Sequence, residues 1–381
     1  MIKDIILVGN YAPDKQYSMK IFEVLMAKGY RKAKFNVSTI RPDEIFRKLA
    51  FNKNSLIKWL AYIDKFVLFP IKLLLLRFKN FILFKSVNYH ICDHSNAFYL
   101  YFLPKNKTII TCHDVLAIRA GLGFSGTYCH ATKSGQVLQK IILKALSGAK
   151  KLATVSDFTL NQLIEIDNKP GTTKNWITIH NAISEKFTPS SEDEVHKVLD
   201  KFQQLKNKDI ILHVGSDLER KNRKLLIHMI AELKNDWDGI LVLAGEPLNS
   251  ELVDLIKQLE VSDRIVQIHN PTNNEIIALY SICQAMIFPS YSEGFGWPII
   301  EAQACGAPVI TSNKAPMMNE VGGNAALYAD PDNPDSFLDQ FQKIRNKTFR
   351  NEIVLKGYEN AKRFDFNNTV NQYVQLIKNE A

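Results

Sequence analysis

Two kinds of apolar pattern alternate along the chain. Short apolar runs recur, four of them ending in Gly or Asp: DIILVG (4–9), VNYHICD (87–93), TIITCHD (108–114), KLATVSD (151–157) and WITIHNAI (176–183). Such runs read as buried parallel strands. Between them, apolar residues recur every three or four positions. Residues 17–28 place Ile21, Phe22, Leu25 and Met26 on one helical face, with a stop predicted at Gly29. Residues 135–149 read as a second helix, and Ser156 or Asp157 caps a third running to about 166. A polar stretch, TPSSEDEVHK (188–197), then breaks the pattern and sets a boundary near 185–206.

Beyond it the alternation restarts. Strands are predicted at 209–215, 239–246, 264–269, 285–290 and 307–312, with helices over 222–234, 249–260, 273–282 and 298–305. Residues 335–346 and 349–379 read as helical. Strands alternating with helices of about ten residues mean parallel sheets covered on both faces. The fold class is therefore α/β, with two doubly wound, Rossmann-like domains over 1–190 and 206–355 and a terminal helical segment over 356–381. Ligands of such sheets sit beyond the carboxyl ends of the strands, which in a two-domain chain points to an interdomain cleft.

The chain has 381 residues, 46% hydrophobic and 23% charged, which suits two globular cores and excludes a disordered chain. Five cysteines, at 92, 112, 129, 283 and 305, form no C-x-x-C pair, so neither a disulfide framework nor a Cys-ligated zinc is expected. The chain opens almost directly on a strand, and no signal peptide is expected. A net charge of +9 suits an anionic partner. No nucleic-acid-binding signature accompanies it, so no nucleic-acid partner is expected.

Part of that charge is concentrated. Residues 41–85 hold ten Lys and Arg, including Lys53, against Asp43, Glu44 and Asp64, interleaved with Phe46, Phe51, Trp59, Phe66, Phe69 and Phe78. The apolar run 66–84 is broken by Pro70, Lys72, Arg77 and Lys79, which argues against a membrane span. Two readings remain: helices lying on an anionic membrane surface, or amphipathic helices packed on a sheet.

The sharpest chemistry is in PSYSEGFGWPIIEAQACGAPVI (289–310). After a strand ending at Phe288, Glu293-Gly294-Phe295-Gly296 forms a loop that lets backbone approach a ligand. Pro298 marks a helix start, and Gly306 its end. The amides of that helix start suit an anion, and Glu301, expected in the first turn, can accept hydroxyl hydrogen bonds. In HVGSDLERKN (213–222), Arg220 and Lys221 follow an apolar strand and Gly215, where fixed cations stabilise a leaving diphosphate. His113 and Asp114 close the strand TIITCHD in the same way.

Glu293, Gly294, Phe295, Gly296, Pro298, Glu301, Ala302, Ala304, Gly306, Pro308 and Val309 together resemble the E-G-F-G-x-P…E-A-x-A-x-G-x-P-V signature of the family 4 glycosyltransferases. The likeness covers the chain from about 108 onward. It implies the GT-B fold, with the terminal helix crossing back to the N-terminal domain, and retaining transfer from a nucleoside diphosphate sugar without a metal or other cofactor. It implies that Glu301 binds the donor ribose, and that Glu293 and the backbone near Phe295 and Gly296 hold the sugar and its phosphate. Lys221 matches the family's phosphate-binding Lys. Ser216 stands where many members have Arg, leaving Arg220 as a substitute. His113 is implied beside the donor sugar, so His113, Glu293 and Lys221 are the catalytic candidates. Gly215, Asn270, Pro271 and Ile299 complete the donor-binding set. Asp114 and Asn10 are assigned to the acceptor side.

The first 100 residues depart from the family pattern, because Gly9 is followed by Asn10 and Tyr11 with no second glycine. The expected activity is hexosyl transfer, with mannose the favoured sugar, to a saccharide or lipid-linked saccharide in polysaccharide or lipopolysaccharide synthesis. The expected place is cytoplasmic, on the inner face of the membrane. A sugar-nucleotide epimerase or hydrolase, or a non-catalytic nucleotide-sugar-binding subunit, would share the donor motifs.

Overall fold

The computed structural model describes residues 3–49, 54–167, 175–314 and 316–379. Phe51 and Lys53 lie outside the described residues. The chain forms two compact units, one of Met1–Asn181 with Phe366–Ala381, the other of Ala182–Asp365. The division falls earlier than the predicted 190–206 and later than 356.

The first unit contains β1 (Lys3–Val8), α1 (Tyr17–Lys32), β2 (Phe35–Ile40), α2 (Asn54–Ile63), α3 (Phe69–Ile82), β3 (Val87–Ile91) and β4 (Thr108–Cys112). It continues with α4 (Leu116–Gly121), α5 (Lys133–Ser147), β5 (Lys151–Thr154), α6 (Asp157–Ile166) and β6 (Asn175–Thr178). The strands form one parallel sheet in the order β2-β1-β3-β4-β5-β6. Its central strands bury side chains on both faces, which is why they read as unbroken apolar runs. The edge strand β2, FNVSTI, buries only Phe35 fully, and the apolar-run criterion did not register it.

The second unit contains α7 (Glu192–Lys201), β7 (Ile210–Gly215), α8 (Arg223–Glu232), β8 (Ile240–Gly245), α9 (Ser250–Gln258), β9 (Ile265–His269), α10 (Asn273–Ile282) and β10 (Ala285–Phe288). It ends with α11 (Trp297–Ala304), β11 (Val309–Ser312), α12 (Pro316–Gly322), β12 (Ala326–Ala329), α13 (Pro334–Arg345) and α14 (Lys347–Ala361). Its parallel sheet runs β9-β8-β7-β10-β11-β12, the doubly wound order with a reversal between β7 and β10. The polar stretch expected to mark the domain boundary carries α7. Ser191 and Glu194 close a reciprocal capping box there, and Lys201 pairs with Glu275 of α10 at 2.5 Å.

The single helix expected over 349–379 is two. After α14 a 3-10 turn (Lys362–Phe364) and the extended Asp365 stop it, and α15 (Phe366–Lys378) belongs to the first unit. There, Tyr373 bonds Thr111 at 3.0 Å, Lys151 donates to the Ile377 carbonyl at 2.9 Å, and Thr369 to that of His180 at 3.2 Å. Gly29 does not end α1. It lies inside the helix, where a Cβ would sit 2.2 Å from a methyl of Val370, so the glycine allows α1 and α15 to approach.

Candidate active site

In the second unit, the loops after β7 and β10 flank the point where strand order reverses. The first loop carries Arg220 and Lys221 in a short 3-10 turn (Glu219–Lys221), and the second carries Glu293. Glu293 Oε1 receives both cations, Arg220 Nη1 at 2.5 Å and Lys221 Nζ at 2.6 Å. Two motifs seventy residues apart therefore form one buried charge cluster. Burial works against the Glu293 carboxylate, but Lys221 and Arg220 outweigh it and hold the carboxyl down at about 2. Burial lowers the Lys221 ammonium from its usual range, with Glu293 opposing. Among the described residues, the printed pairs set two cations against one carboxylate in a shielded place, an arrangement that favours an anion.

The backbone around the cluster is fixed. Lys221 Nζ stands 4.6 Å from the centroid of the Phe288 ring. Arg220 also donates to the Ser292 carbonyl at 2.9 Å, and its own carbonyl accepts from the Tyr291 amide at 2.8 Å. Asn222 takes a left-handed conformation, φ 53°, and its amide holds the Pro331 carbonyl at 2.7 Å. Arg223 holds the Gly215 and Glu246 carbonyls at 2.7 and 2.8 Å. A Cβ on Gly245, φ 139°, would lie 2.1 Å from the Gly215 carbonyl oxygen, so β7 and β8 end in closely apposed glycines. Ser216 follows, half-buried.

Gly296, φ 97°, opens α11 at the position before Trp297. Pro298 is thus the second residue of the helix, and Glu301 falls one turn later than predicted. Burial pushes the Glu301 carboxyl up to about 7, against the Tyr280 hydroxyl, which donates to it at 3.3 Å. Phe295 packs edge-on against Phe364 and Ile299 is fully buried beneath Gly296, so these two shape the loop through packing. Gly294 is half-buried. Asn270, φ 46°, is exposed after β9 and donates its amide to the Gly245 carbonyl at 3.2 Å, with the half-buried Pro271 beside it.

In the first unit the reversal lies between β1 and β3. Asn10, after β1, donates to Asp93, after β3, at 2.5 Å, and accepts from Asn96 at 2.8 Å. His113, after β4, is buried with Nε2 2.9 Å from the Cys92 carbonyl, and its amide contacts His94 Nδ1 at 3.3 Å. Burial lowers the His113 imidazole, with Asp93 opposing. Asp93 is itself held below the usual range. Burial acts against its charge, and His94, His113, Asn10 and the Ser95 amide outweigh that. Asp114 is half-buried and caps the Leu116 amide at 3.0 Å.

Sequence reading missed two acidic residues here. Asp93 was absorbed into a strand. Glu23 lies on the buried face of α1 with Met26, Ala27 and Tyr30, at spacings of three, four and seven. A carboxylate at a core-facing position was the available signal. Glu23 pairs with Arg41 at 2.5 Å, and a Cβ on Gly9 would fall 1.9 Å from its Oε2. Glu23 therefore occupies the space above the single glycine of this loop.

The geometry defines a class: an α/β protein whose second sheet presents a shielded cationic cluster and a carboxyl group at its strand-order reversal. Comparisons place it within that class. Residues 196–363 match the family "Glycosyl transferases group 1". O-antigen chain mannosyltransferase B of Escherichia coli is 27% identical over 285 residues, 73% of this chain and 72% of that protein. O-antigen chain mannosyltransferase RfbU of Salmonella typhimurium is 30% identical over 200 residues, 49% of this chain and 55% of its own length. Among solved structures, Anabaena Alr3699/HepE in complex with UDP and glucose superposes with a TM-score of 0.75, at 16% identity and 99% coverage of both chains. The fold is GT-B. The chain carries a group 1 glycosyl transferase domain and is a glycosyltransferase.

Proposed function

We propose that the protein transfers mannose, with retention, from a nucleoside diphosphate donor to a hydroxyl of a saccharide or lipid-linked saccharide during cell-surface polysaccharide synthesis. The observation that carries this reading is the junction of Arg220, Lys221 and Glu293. The leaving diphosphate gains charge in the transition state, and a pre-fixed cation pair stabilises that charge without reorganising. In this reading the reaction needs no metal or other cofactor. Glu301 accepts the donor's ribose hydroxyls, and Glu293 with the Gly294–Gly296 backbone holds the sugar. Gly215, Ser216, Asn270, Pro271 and Ile299 complete the donor set, the last through packing. His113 serves the reacting sugar, and Asn10 and Asp114 serve the acceptor. The mannosyltransferase names of both relatives support the choice of sugar.

The reading extends to the membrane, at its cytoplasmic face. No described helix is long and apolar enough to cross a bilayer. However, α3 packs inward through the buried Phe69, Pro70 and Leu73, with Leu76 partly buried beside them. Its other side, Ile71, Leu74, Leu75, Phe78 and Ile82, follows helical spacing into solvent, and Phe81 and Phe84 beyond it are 77% and 96% exposed. Arg77 and Lys79 flank that side, Lys85 follows the helix and Lys58 lies on α2, all with no ion pair among the described residues. A continuous apolar stripe edged by cations suits an anionic lipid surface.

A donor panel tests the central reading. GDP-mannose should release nucleotide when an alkyl mannoside or lipid-linked saccharide is supplied, and far more slowly without it. Failure of every nucleotide sugar with every acceptor would contradict transfer, and equal release without acceptor would make the protein a hydrolase.

A further inference from the structure

Two adjoining hollows in the first unit differ in chemistry. One, of about 130 Å³, opens beside the loop after β1 and is lined by Lys15, Lys20, Arg41, Tyr11, Tyr17 and Glu23. Arg41 pairs with Glu23, whereas Lys15 and Lys20 form no ion pair among the described residues, so the hollow is net cationic. The other, of about 250 Å³, is lined by Ile45, Leu68, Phe69, Ile71 and Leu75, with Asp43 and Lys72 paired at its edge at 2.6 Å. Arg41 lines the first and Asp43 the second, two residues along one segment, so roughly 7 Å of backbone separates them. The apolar hollow opens on the exposed stripe of α3.

The two hollows are tied together by Asp64, fully buried in the π-helical turn (Asp64–Leu68) between α2 and α3. Its carboxylate accepts from the Tyr11 hydroxyl at 2.9 Å and from the Phe46 and Arg47 amides at 2.8 and 3.1 Å. Lys65 beside it pairs with Asp14 at 2.7 Å. Thus the wall of the cationic hollow is fastened to the helices that carry the apolar one. A cationic hollow joined to an apolar one matches an amphiphile with an anionic head and a hydrocarbon chain.

We propose that these hollows form one bipartite site for the phosphate or diphosphate linkage of a lipid-borne acceptor. Lys15, Lys20 and Arg41 take the phosphate, and the first segment of the lipid lies among Ile45, Leu68, Ile71 and Leu75. The proposal rests on the lipid-linked acceptor reading above and names the part of that acceptor this unit recognises.

Calorimetric titration with farnesyl diphosphate tests it without any sugar transfer, so its outcome is separate from the catalytic reading. The titration uses full-length Arg220→Met/Lys221→Met protein, so that the donor-side cations do not contribute. Farnesyl diphosphate should bind at least ten-fold more tightly than inorganic pyrophosphate. Adding Lys15→Asn and Lys20→Ala should weaken both ligands at least ten-fold; Asn suits the left-handed backbone at position 15, φ 52°. Adding Leu75→Glu, at an exposed position, should remove the advantage of the farnesyl chain and leave pyrophosphate unchanged. Equal affinity with and without the two lysines would overturn the site. Equal affinity for farnesyl diphosphate and pyrophosphate would make it a site for free phosphate and overturn the lipid half.

Discussion

Glu293 and Glu301 stand eight residues apart and are pushed in opposite directions. Glu293 faces two cations and stays ionised down to about pH 2, whereas burial lifts Glu301 to about 7. If the ionised form of Glu301 accepts the ribose hydroxyls, its ionised fraction climbs from about a tenth at pH 6 to about nine-tenths at pH 8. Donor-nucleotide affinity measured by calorimetry should rise over that range and flatten in Glu301→Gln. A flat wild-type profile would remove Glu301 from that role. Stability gives an independent check. A carboxyl whose pKa is raised by folding contributes stability at low pH and loses it as pH rises through 7. Glu301→Gln should therefore gain in melting temperature over wild type between pH 5 and pH 8. Removing Glu293 acts differently, because it takes the carboxylate partner from the buried Lys221 and the half-buried Arg220. Glu293→Ala should cost about 3–5 kcal/mol in denaturant titration, and a loss within experimental error would show that the cations do not depend on it. The identity of these residues was legible from motif spacing. Their mutual contact was not, because nothing in 213–222 or 289–310 alone says that the two loops meet.

At the scale of elements, α3 bears on both sequence readings of 41–85. One narrow stripe packs on the sheet, and a second apolar stripe stays in solvent. Hydrophobic spacing alone could not separate them, since both stripes satisfy helical periodicity. If the exposed stripe docks on lipid, the protein should sediment with vesicles containing acidic phospholipid and release as salt rises, each cation contributing about 1 kcal/mol. Lys65 and Lys72 are occupied by Asp14 and Asp43, so the decisive substitutions are Lys58, Arg77, Lys79 and Lys85 to Glu. Equal recovery from neutral and acidic vesicles at low salt would refute docking. Gly29 offers a purely structural test. Its Cβ would meet the stiff side chain of Val370, so Gly29→Ala should destabilise by about 1–3 kcal/mol although alanine favours helices. Position 29 read as a helix stop because a glycine that admits another helix looks, in one sequence, like one that ends its own.

For the whole molecule, the repeated strand-and-helix alternation made two doubly wound sheets legible, and both are present. The boundary was less so: the polar run 188–197 looked like the boundary, but its capping box starts a helix of the second unit. The cationic hollow of the first unit was the least legible, because it draws on residues 10–23 and 41, brought together only by folding, and follows no motif. The central claim is that the cations fixed by Glu293 neutralise the leaving diphosphate. Steady-state kinetics of Lys221→Met, with and without EDTA, address it most directly, because Met keeps the aliphatic stem over Phe288 and removes only the charge. In Lys221→Met, kcat should fall about a hundred-fold or more with a smaller change in donor KM, and EDTA should have no effect on the wild type. A kcat within a few-fold of wild type, or a strict requirement for magnesium or manganese, would contradict it.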